Sequence, residues 1–296
     1  MGYKFHDGLK IMTNINSILI TGGTGFFGKY FVRDLLDKNI SSRVCIYSRD
    51  EHKQAEMRVL FGDDDRLRFF IGDVRDQRRL AMAMNGVDVV VHAAALKRIE
   101  VGFYNPIEMV KTNVNGAINV IYASAEARVK KVLFLSTDKA YQPISPYGHS
   151  KALAEMLFCQ SGNMFGLRGP QFAVIRYGNI SGSTGSVIPI WRKQLLNSEP
   201  ITITDLDCTR FWMDIEMAAS LVRNTIYDMR GSDLVIPTLS AYRLGDLAIT
   251  LGAKQTNIIG LRKYEKMHES LDEHQCSATA PRMSLEELKA ALNHVP

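Results

Sequence analysis

Between residues 16 and 180 the chain alternates short apolar runs with longer stretches in which apolar residues recur every three or four positions. The runs Ser17–Thr21, Arg43–Tyr47, Arg68–Ile71, Val87–His92, Val132–Ser136 and Phe172–Tyr177 are short and dominated by Val, Ile, Leu and Phe, so they predict strands. Val87-Asp-Val-Val-Val91 is apolar at nearly every position, as in a strand buried on both faces of a parallel sheet. Between the runs, Tyr30, Phe31, Leu35 and Leu36 fall at helical spacing, and residues 108–127 and the stretch opened by Pro146 also read as helices. This order predicts an α/β fold with a doubly wound parallel sheet. Past residue 180 the alternation stops. Residues 182–185 read as loop, Ile188–Leu196 as helix, Ile201–Thr204 as a short strand, and Leu244–Leu251 and Ser284–Asn293 as helices. Ser284 and Glu287 form a capping box for the last, with Met283 and Leu288 placed to staple it. The expected division is an N-terminal extension (1–15), the doubly wound domain (16–180) and a smaller C-terminal lobe (181–296), with allowance for chain exchange between the lobes.

Composition narrows the partners. At 296 residues the chain buries a core without disulfide staples. The charge balance, 36 − 31 = +5, suits phosphorylated small molecules, and the longest basic group is only Arg128, Lys130 and Lys131, so no nucleic acid is expected. Cys45, Cys159, Cys208 and Cys276 show no Cys-x-x-Cys spacing, which argues against a structural zinc and against a secreted disulfide framework; no metal is expected. The first sixteen residues hold no apolar signal core, and no stretch approaches the ~18 apolar residues of a membrane helix. The expectation is a cytoplasmic protein without membrane contact.

The chemistry starts at Thr21-Gly-Gly-Thr-Gly-Phe-Phe-Gly28. Gly22, Gly25 and Gly28 stand between a strand and a helix, where backbone amides at the positive helix end cradle a pyrophosphate that a Cβ would obstruct. The context makes residues 16–180 a Rossmann dinucleotide-binding domain. At the end of the second strand, where NAD enzymes place an acid, the chain has Tyr47-Ser-Arg-Asp50 with Lys53 one turn on. Ser48 and Arg49 offer a hydroxyl and a guanidinium to a 2′-phosphate, which favours NADP; Asp50 is the dissenting residue. Asp73, in Gly72-Asp-Val74, either accepts a hydrogen bond from the adenine amino group or caps the next helix. Ala93, Ala94 and Ala95 leave room for a cofactor beside the backbone, and His92 reads as a structural strand-end residue. Tyr147 and Lys151, at i and i+4, share one helix face, and an ammonium beside a phenol lowers its pKa towards that of a usable base. Phe211 and Trp212 read as core residues.

The pairing of the glycine loop with Tyr147-Gly-His-Ser-Lys151 resembles the extended short-chain dehydrogenase/reductases that act on nucleotide sugars. More narrowly, Ser136-Thr-Asp-Lys-Ala140 with Pro143, His92-Ala-Ala-Ala-Leu-Lys97, Tyr47-Ser-Arg-Asp50, Arg176-Tyr-Gly-Asn179, Gly185-Ser-Val-Ile-Pro189 and Thr209-Arg-Phe-Trp212 look like the UDP-N-acetylglucosamine 4,6-dehydratases, closest to the C5-inverting enzymes that start pseudaminic acid synthesis. The likeness runs from about Ser17 to about Glu269. It departs at Gly260-Leu-Arg-Lys-Tyr-Glu-Lys266, where Lys263 and Tyr264 stand in place of the family's Pro-Gly.

The resemblance implies a tightly held, recycled NADP contacted by Thr21, Gly22, Gly23, Thr24, Gly25, Phe26, Phe27, Gly28, Ser48, Arg49, Asp50, Lys53, Asp73, Val74, Ala93, Ala94, Ala95, Lys97, Tyr147, Lys151, Tyr177 and Ile180. It implies a UDP-sugar held by Lys97, Asn179, Thr184, Gly185, Ser186, Val187, Arg210 and Arg262. In the implied reaction C4 is first oxidised, which acidifies the C5 proton. Tyr147 takes the C4 hydroxyl proton, Lys151 holds the phenolate and ribose, and Thr137 hydrogen-bonds the C4 oxygen. Asp138 is the acid for water loss and Lys139 the base at C5; burial is expected to keep the first protonated and the second neutral. Hydride then returns to C6, giving UDP-2-acetamido-2,6-dideoxy-β-L-arabino-hexos-4-ulose. The enzyme is a hydro-lyase on this reading, expected as a homo-oligomer, dimer or higher. The alternatives are a nucleotide-sugar 4-epimerase, which needs no acid–base pair at C5 and C6, and a non-catalytic NADP-sensing protein on the same fold.

Overall fold

In the computed structural model residues 15–295 are described; residues 1–14, which hold all but the last residue of the expected extension, and residue 296 lie outside them. The strands are β1 (Ser17–Thr21), β2 (Arg43–Ser48), β3 (Leu67–Ile71), β4 (Val89–His92), β5 (Lys131–Leu135), β6 (Gln171–Ile175), β7 (Ile201–Ile203), β8 (Thr209–Phe211), β9 (Asp233–Val235), β10 (Ala241–Arg243) and β11 (Thr256–Ile258). The α-helices are α1 (Phe26–Asp37), α2 (Glu51–Leu60), α3 (Gln77–Ala83), α4 (Ile99–Tyr104), α5 (Pro106–Val110), α6 (Gly116–Glu126), α7 (Pro146–Phe165), α8 (Val187–Leu196), α9 (Ile215–Asp228), α10 (Leu244–Thr250) and α11 (Leu285–Leu292).

Seven strands form one sheet in the order β3-β2-β1-β4-β5-β6-β9, every pair parallel. The apolar runs are continuous because both faces are covered. Ile18 and Ile20 of β1 face a core shared with Phe31 and Leu35 of α1 and Val222 and Ile226 of α9. Leu19 between them faces the opposite core, with Leu80 of α3, Val120 of α6 and Phe158 of α7. This is the doubly wound sheet that the strand and helix order predicts.

The boundary expected at residue 180 does not separate the layers. Segment 181–214 leaves the sheet, but α9 then returns to pack on α1, and β9 pairs with β6 through Ala173↔Asp233 and Ile175↔Val235. The remaining C-terminal elements make the smaller lobe. There β7 pairs with β11 and β8 with β10, and Trp191, Ile203, Leu247, Leu288 and Leu292 share a third core. Phe211 and Trp212 are both core residues, as expected, of the first and third clusters respectively.

The helix expected over residues 108–127 is divided. A π-turn at Lys111–Asn115 separates α5 from α6. Within it the Asn113 amide accepts from the Leu96 N–H (2.8 Å) and donates to the Leu96 carbonyl and Ser150 Oγ (2.9 Å each), tying the loop after β4 to α7. Ser284 and Glu287 make the expected capping box on α11, and Met283 packs in the same cluster as Leu288. Among the described residues no helix is long and apolar enough to cross a membrane.

Candidate active site

The sheet order reverses between β1 and β4, and their C-terminal ends open into a cleft of about 750 Å³. Gly22, Thr24, Gly25, Phe26, Phe27 and Gly28 line it. The glycines serve different ends. Gly22 has φ +68°, and a Cβ there would sit 2.9 Å from the Ala94 Cα; one on Gly28 would lie 2.3 Å from the Gly23 carbonyl oxygen. These two allow close backbone packing. Gly25 alone of the three faces open space, its nearest obstacle being the Gly22 oxygen at 3.1 Å, so it is the position where a side chain would intrude on a bound pyrophosphate. Thr21 and Gly23 do not line the cleft. Thr21 Oγ1 is hydrogen-bonded to His92 Nδ1 (2.7 Å) and accepts from the Ala94 N–H (3.2 Å), while Gly23 is buried against Ile20 and Ile46. His92 is buried against the stacked rings of Phe134 and Phe158, and burial, with Lys151 adding, pushes its imidazole down to about 3, which fits a structural residue.

Ser48, Arg49, Asp50 and Lys53 form the far wall. Asp50 is the N-cap of α2, accepting from the Lys53 N–H (3.1 Å) with Lys53 Nζ at 3.2 Å from its carboxylate. Its side chain is occupied by the helix end. The Ser48 hydroxyl accepts from Gln54 Nε2 (2.9 Å), an orienting contact that no motif signalled. Asp73 does not cap α3; Asp76 does, through the Arg79 N–H. Burial would raise the Asp73 carboxyl, but the Arg75 fork (2.7 and 3.0 Å) and Arg49 (3.5 Å) hold it below the usual range. Val74, Ala93, Ala94, Ala95, Tyr177 and Ile180 also line the cleft.

At the reacting end Thr137, Tyr147 and Lys151 face the cleft, and Ser136, whose buried Oγ has no hydrogen-bond partner among the described residues, lines it beside them. Lys151 is 3% exposed. Its Nζ donates to the Leu135 carbonyl (2.6 Å) and lies 3.8 Å from the Phe134 ring centre. Burial pushes the ammonium down to about 7, with Glu155 opposing. Burial likewise pushes the Tyr147 phenol up to about 12, Lys139 and a Thr137 hydrogen bond pulling the other way and Asp138 adding to the rise. The expectation that Lys151 depresses the phenol therefore does not describe this state. The lysine is itself desolvated and spent on a carbonyl, and Lys139 supplies the nearby positive charge.

Asp138 and Lys139 are not among the residues that line the cleft; they sit on the 3₁₀ turn after β5, next in sequence to Thr137, with Lys139 Nζ 3.5 Å from Oδ1 of the lining Asn179. Thr137 Oγ1 donates to Asp138 Oδ1 (2.9 Å), and Lys139 Nζ is 3.1 Å from the same oxygen. Their side chains are only 2% and 18% exposed, so this is no solvated turn pair. Burial favours a neutral Lys139, as expected, but Asp138 and Glu269 (3.4 Å) outweigh it and hold the ammonium above the ordinary lysine range. Glu269 carries no motif signal and was not anticipated.

Of the expected substrate residues, Lys97, Asn179 and Thr184 line the cleft. Burial lowers the Lys97 ammonium, Arg98 adding to the effect, and among the described residues no carboxylate lies within ion-pairing distance of it. Gly185, Ser186 and Val187 lie outside the lining, at the turn into α8. Arg210 is turned to other partners: its guanidinium pairs with Glu265 (3.0 Å) and donates to the Thr209 and Met267 carbonyls. Arg262 is exposed and apart from the cleft, while Tyr264, in the departing segment, packs on Phe103 of α4 (4.8 Å between ring centres).

A family model described as polysaccharide biosynthesis protein matches residues 18–286. The chain belongs to that family, within the extended short-chain dehydrogenase/reductases. It is 45% identical over 260 residues to a Campylobacter jejuni protein named UDP-N-acetylglucosamine 4,6-dehydratase (inverting), covering 87% of this chain and 78% of the relative. It is also 39% identical over 263 residues to a Rickettsia canadensis protein named UDP-glucose 4-epimerase, covering 86% and 77%. The solved structure of Pen from Bacillus thuringiensis superposes with a TM-score of 0.90 at 31% identity, over 96% of this chain and 99% of that one.

Proposed function

We propose that this member of the family is a UDP-N-acetylglucosamine 4,6-dehydratase of the C5-inverting type that uses NADP. The observation that carries the reading is the buried Asp138–Lys139 pair, 3.1 Å apart and hydrogen-bonded to Thr137, which lines the cleft. Oxidising and reducing C4 requires only a proton acceptor beside a cofactor; eliminating water across C5 and C6 requires an acid and a base as well.

The lining supports that cofactor. Gly25 leaves space for a pyrophosphate, Arg49 and Ser48 bring a guanidinium and a hydroxyl suited to a 2′-phosphate, and Asp50 is committed to capping α2. Once bound, NADP supplies the hydride acceptor for C4 and the hydride returned to C6. The chain's own residues manage the protons. Tyr147 accepts the C4 hydroxyl proton as a phenolate, its own resting proton having first passed to solvent, with Thr137 beside it. The resting ion pair becomes the working acid and base by one proton transfer along the 3.1 Å contact: the Lys139 N–H bond breaks, an Asp138 O–H bond forms, and the summed charge is unchanged. Lys139 then takes H5 while Asp138 protonates the departing 6-hydroxyl, and as hydride returns to C6 a solvent proton enters C5 on the face opposite the one H5 left. Lys97 meets the substrate diphosphate, an anion that relieves its desolvated charge. The enzyme is taken to act in the cytoplasm as a homo-oligomer.

The test is incubation with NADP and UDP-N-acetylglucosamine in D₂O. The expected product has lost one water, carries deuterium at C5 and shows the ring couplings of the L-arabino configuration. A galacto sugar of unchanged mass would establish the second reading, the 4-epimerase suggested by the Rickettsia relative's name. An exclusively D-xylo keto sugar would refute inversion and leave the dehydratase.

A further inference from the structure

Glu269 is buried beside the reacting pair and has no part in the chemistry so far described. Its residue is 3% exposed; Oε1 lies 3.4 Å from Lys139 Nζ, and Oε2, 4.0 Å from Lys266 Nζ, has no hydrogen-bond partner among the described residues. A buried carboxylate with half its acceptor capacity unused costs stability. Its backbone is nevertheless clamped. The Glu269 N–H donates to Ser277 Oγ (2.9 Å), its carbonyl accepts from the Ser277 N–H (2.7 Å), and Ser277 Oγ is in turn bonded to Thr209 Oγ1 (2.7 Å). A costly carboxylate is thus held in a fixed place with one oxygen aimed at Lys139.

Lys139 Nζ has three N–H bonds and three acceptors within reach: Asp138 Oδ1 at 3.1 Å, Glu269 Oε1 at 3.4 Å and Asn179 Oδ1 at 3.5 Å. We propose that Glu269 is a positioning residue for the dehydration, holding the Lys139 amine in place after its proton has passed to Asp138. At that moment the ion pair that anchored Nζ has become two neutral groups, and the four-carbon stem is free to turn. The two N–H bonds that remain have Glu269 and Asn179 as acceptors, which keeps the nitrogen at the cleft wall until H5 is taken. Glu269 has no such task while C4 is oxidised, when Lys139 is still an ammonium anchored by Asp138.

The proposal rests on the dehydratase reading, and the experiment separates the two. Wild-type, E269L and E269Q enzymes are loaded with NADP and given UDP-N-acetylglucosamine; C4 oxidation is read as reduced-cofactor absorbance and water loss by mass. Misplacing a reacting group by about 1 Å costs up to about 100-fold, so water loss in E269L, which has no acceptor for the amine, is expected to fall about 10- to 100-fold. Reduced cofactor then accumulates at the wild-type rate, and kcat falls with KM for the sugar unchanged. E269Q keeps an Oε1 acceptor on the same stem and recovers most of the water loss. Equal loss of both half-reactions in E269L marks a merely structural residue and overturns the proposal, as does unchanged water loss. If E269L does not fold, E269A decides by the same two criteria. Absence of water loss from the wild-type enzyme overturns the dehydratase reading itself.

Discussion

Replacing Lys151 by Met removes a buried amine that sits at the wrong pH for its environment. Desolvation brings the ammonium from 10.5 to about 7. At 1.36 kcal/mol per pH unit this displacement corresponds to about 4–5 kcal/mol as an upper bound. Between pH 7 and pH 10.5 the unfolded chain holds a proton at Lys151 that the folded chain has released. Wild-type stability contributed by this site therefore rises with pH across that window and is flat below it. In Lys151→Met the slope vanishes, while the Leu135 carbonyl loses its 2.6 Å donor, at a cost of about 1–3 kcal/mol at every pH. The variant is expected to be as stable as the wild type, or more so by up to about 3 kcal/mol, at pH 6, and less stable by about 1–3 kcal/mol near pH 10. Urea titrations of the cofactor-free proteins across this range measure the difference, in which all other titrating groups cancel. His92, the imidazole coupled to Lys151, stays neutral throughout the window. A difference that does not change with pH, or that changes in the wild type's disfavour as pH rises, would refute the reasoning.

Arg49→Ala removes the guanidinium from the cleft wall; NADP affinity is expected to drop about tenfold, the low end for a charge-assisted contact because Arg49 is half exposed, with NAD affinity little altered in calorimetric titration. Tyr147→Phe should lower turnover by about 10²–10⁴ with cofactor affinity preserved, and near-wild-type turnover would assign the C4 proton to another base. Gly28→Ala drives a Cβ to 2.3 Å from the Gly23 oxygen and should lose about 1–3 kcal/mol by denaturant titration, whereas Gly25→Ala, whose Cβ meets only the Gly22 oxygen at 3.1 Å, should lose less stability and show its main effect in weakened cofactor binding.

The large sheet was legible where burial on both faces leaves an unbroken apolar run, as in β1 and β4. β9 was not, because three residues, Asp233-Leu-Val235, are too few to carry a period. The helix before it was readable but unread: Asp214 caps it, and Ile215, Ala218, Ala219, Val222 and Ile226 make its buried face. The π-turn has no signal in the apolar spacing, since its one extra residue only shifts the phase between α5 and α6. Motifs brought Tyr147, Thr137, Asp138 and Lys139 to one place because they lie close together in the chain. Arg210 and Glu269 come from the other lobe, and their pairing is decided by tertiary contacts with Glu265 and Lys139. A lone arginine in a strand reads the same whether it meets a phosphate or a carboxylate. Charge states were the least legible, because they depend on which groups share the burial.

The return of α9 and β9 to the large sheet has a consequence for how the protein is made. Residues 16–180 contain the glycine loop, the Asp138–Lys139 turn and the Tyr147 helix, yet a nascent chain of that length cannot finish its own sheet. Until Val235 has left the ribosome, β6 is a bare edge and the α1 side of the sheet lacks Leu221, Val222 and Ile226. Synthesis must run 88 residues past Tyr147 before the cleft that holds it has its full support, so a stop or a stalled ribosome in that interval leaves an aggregation-prone, open-edged sheet of six strands and not a smaller enzyme.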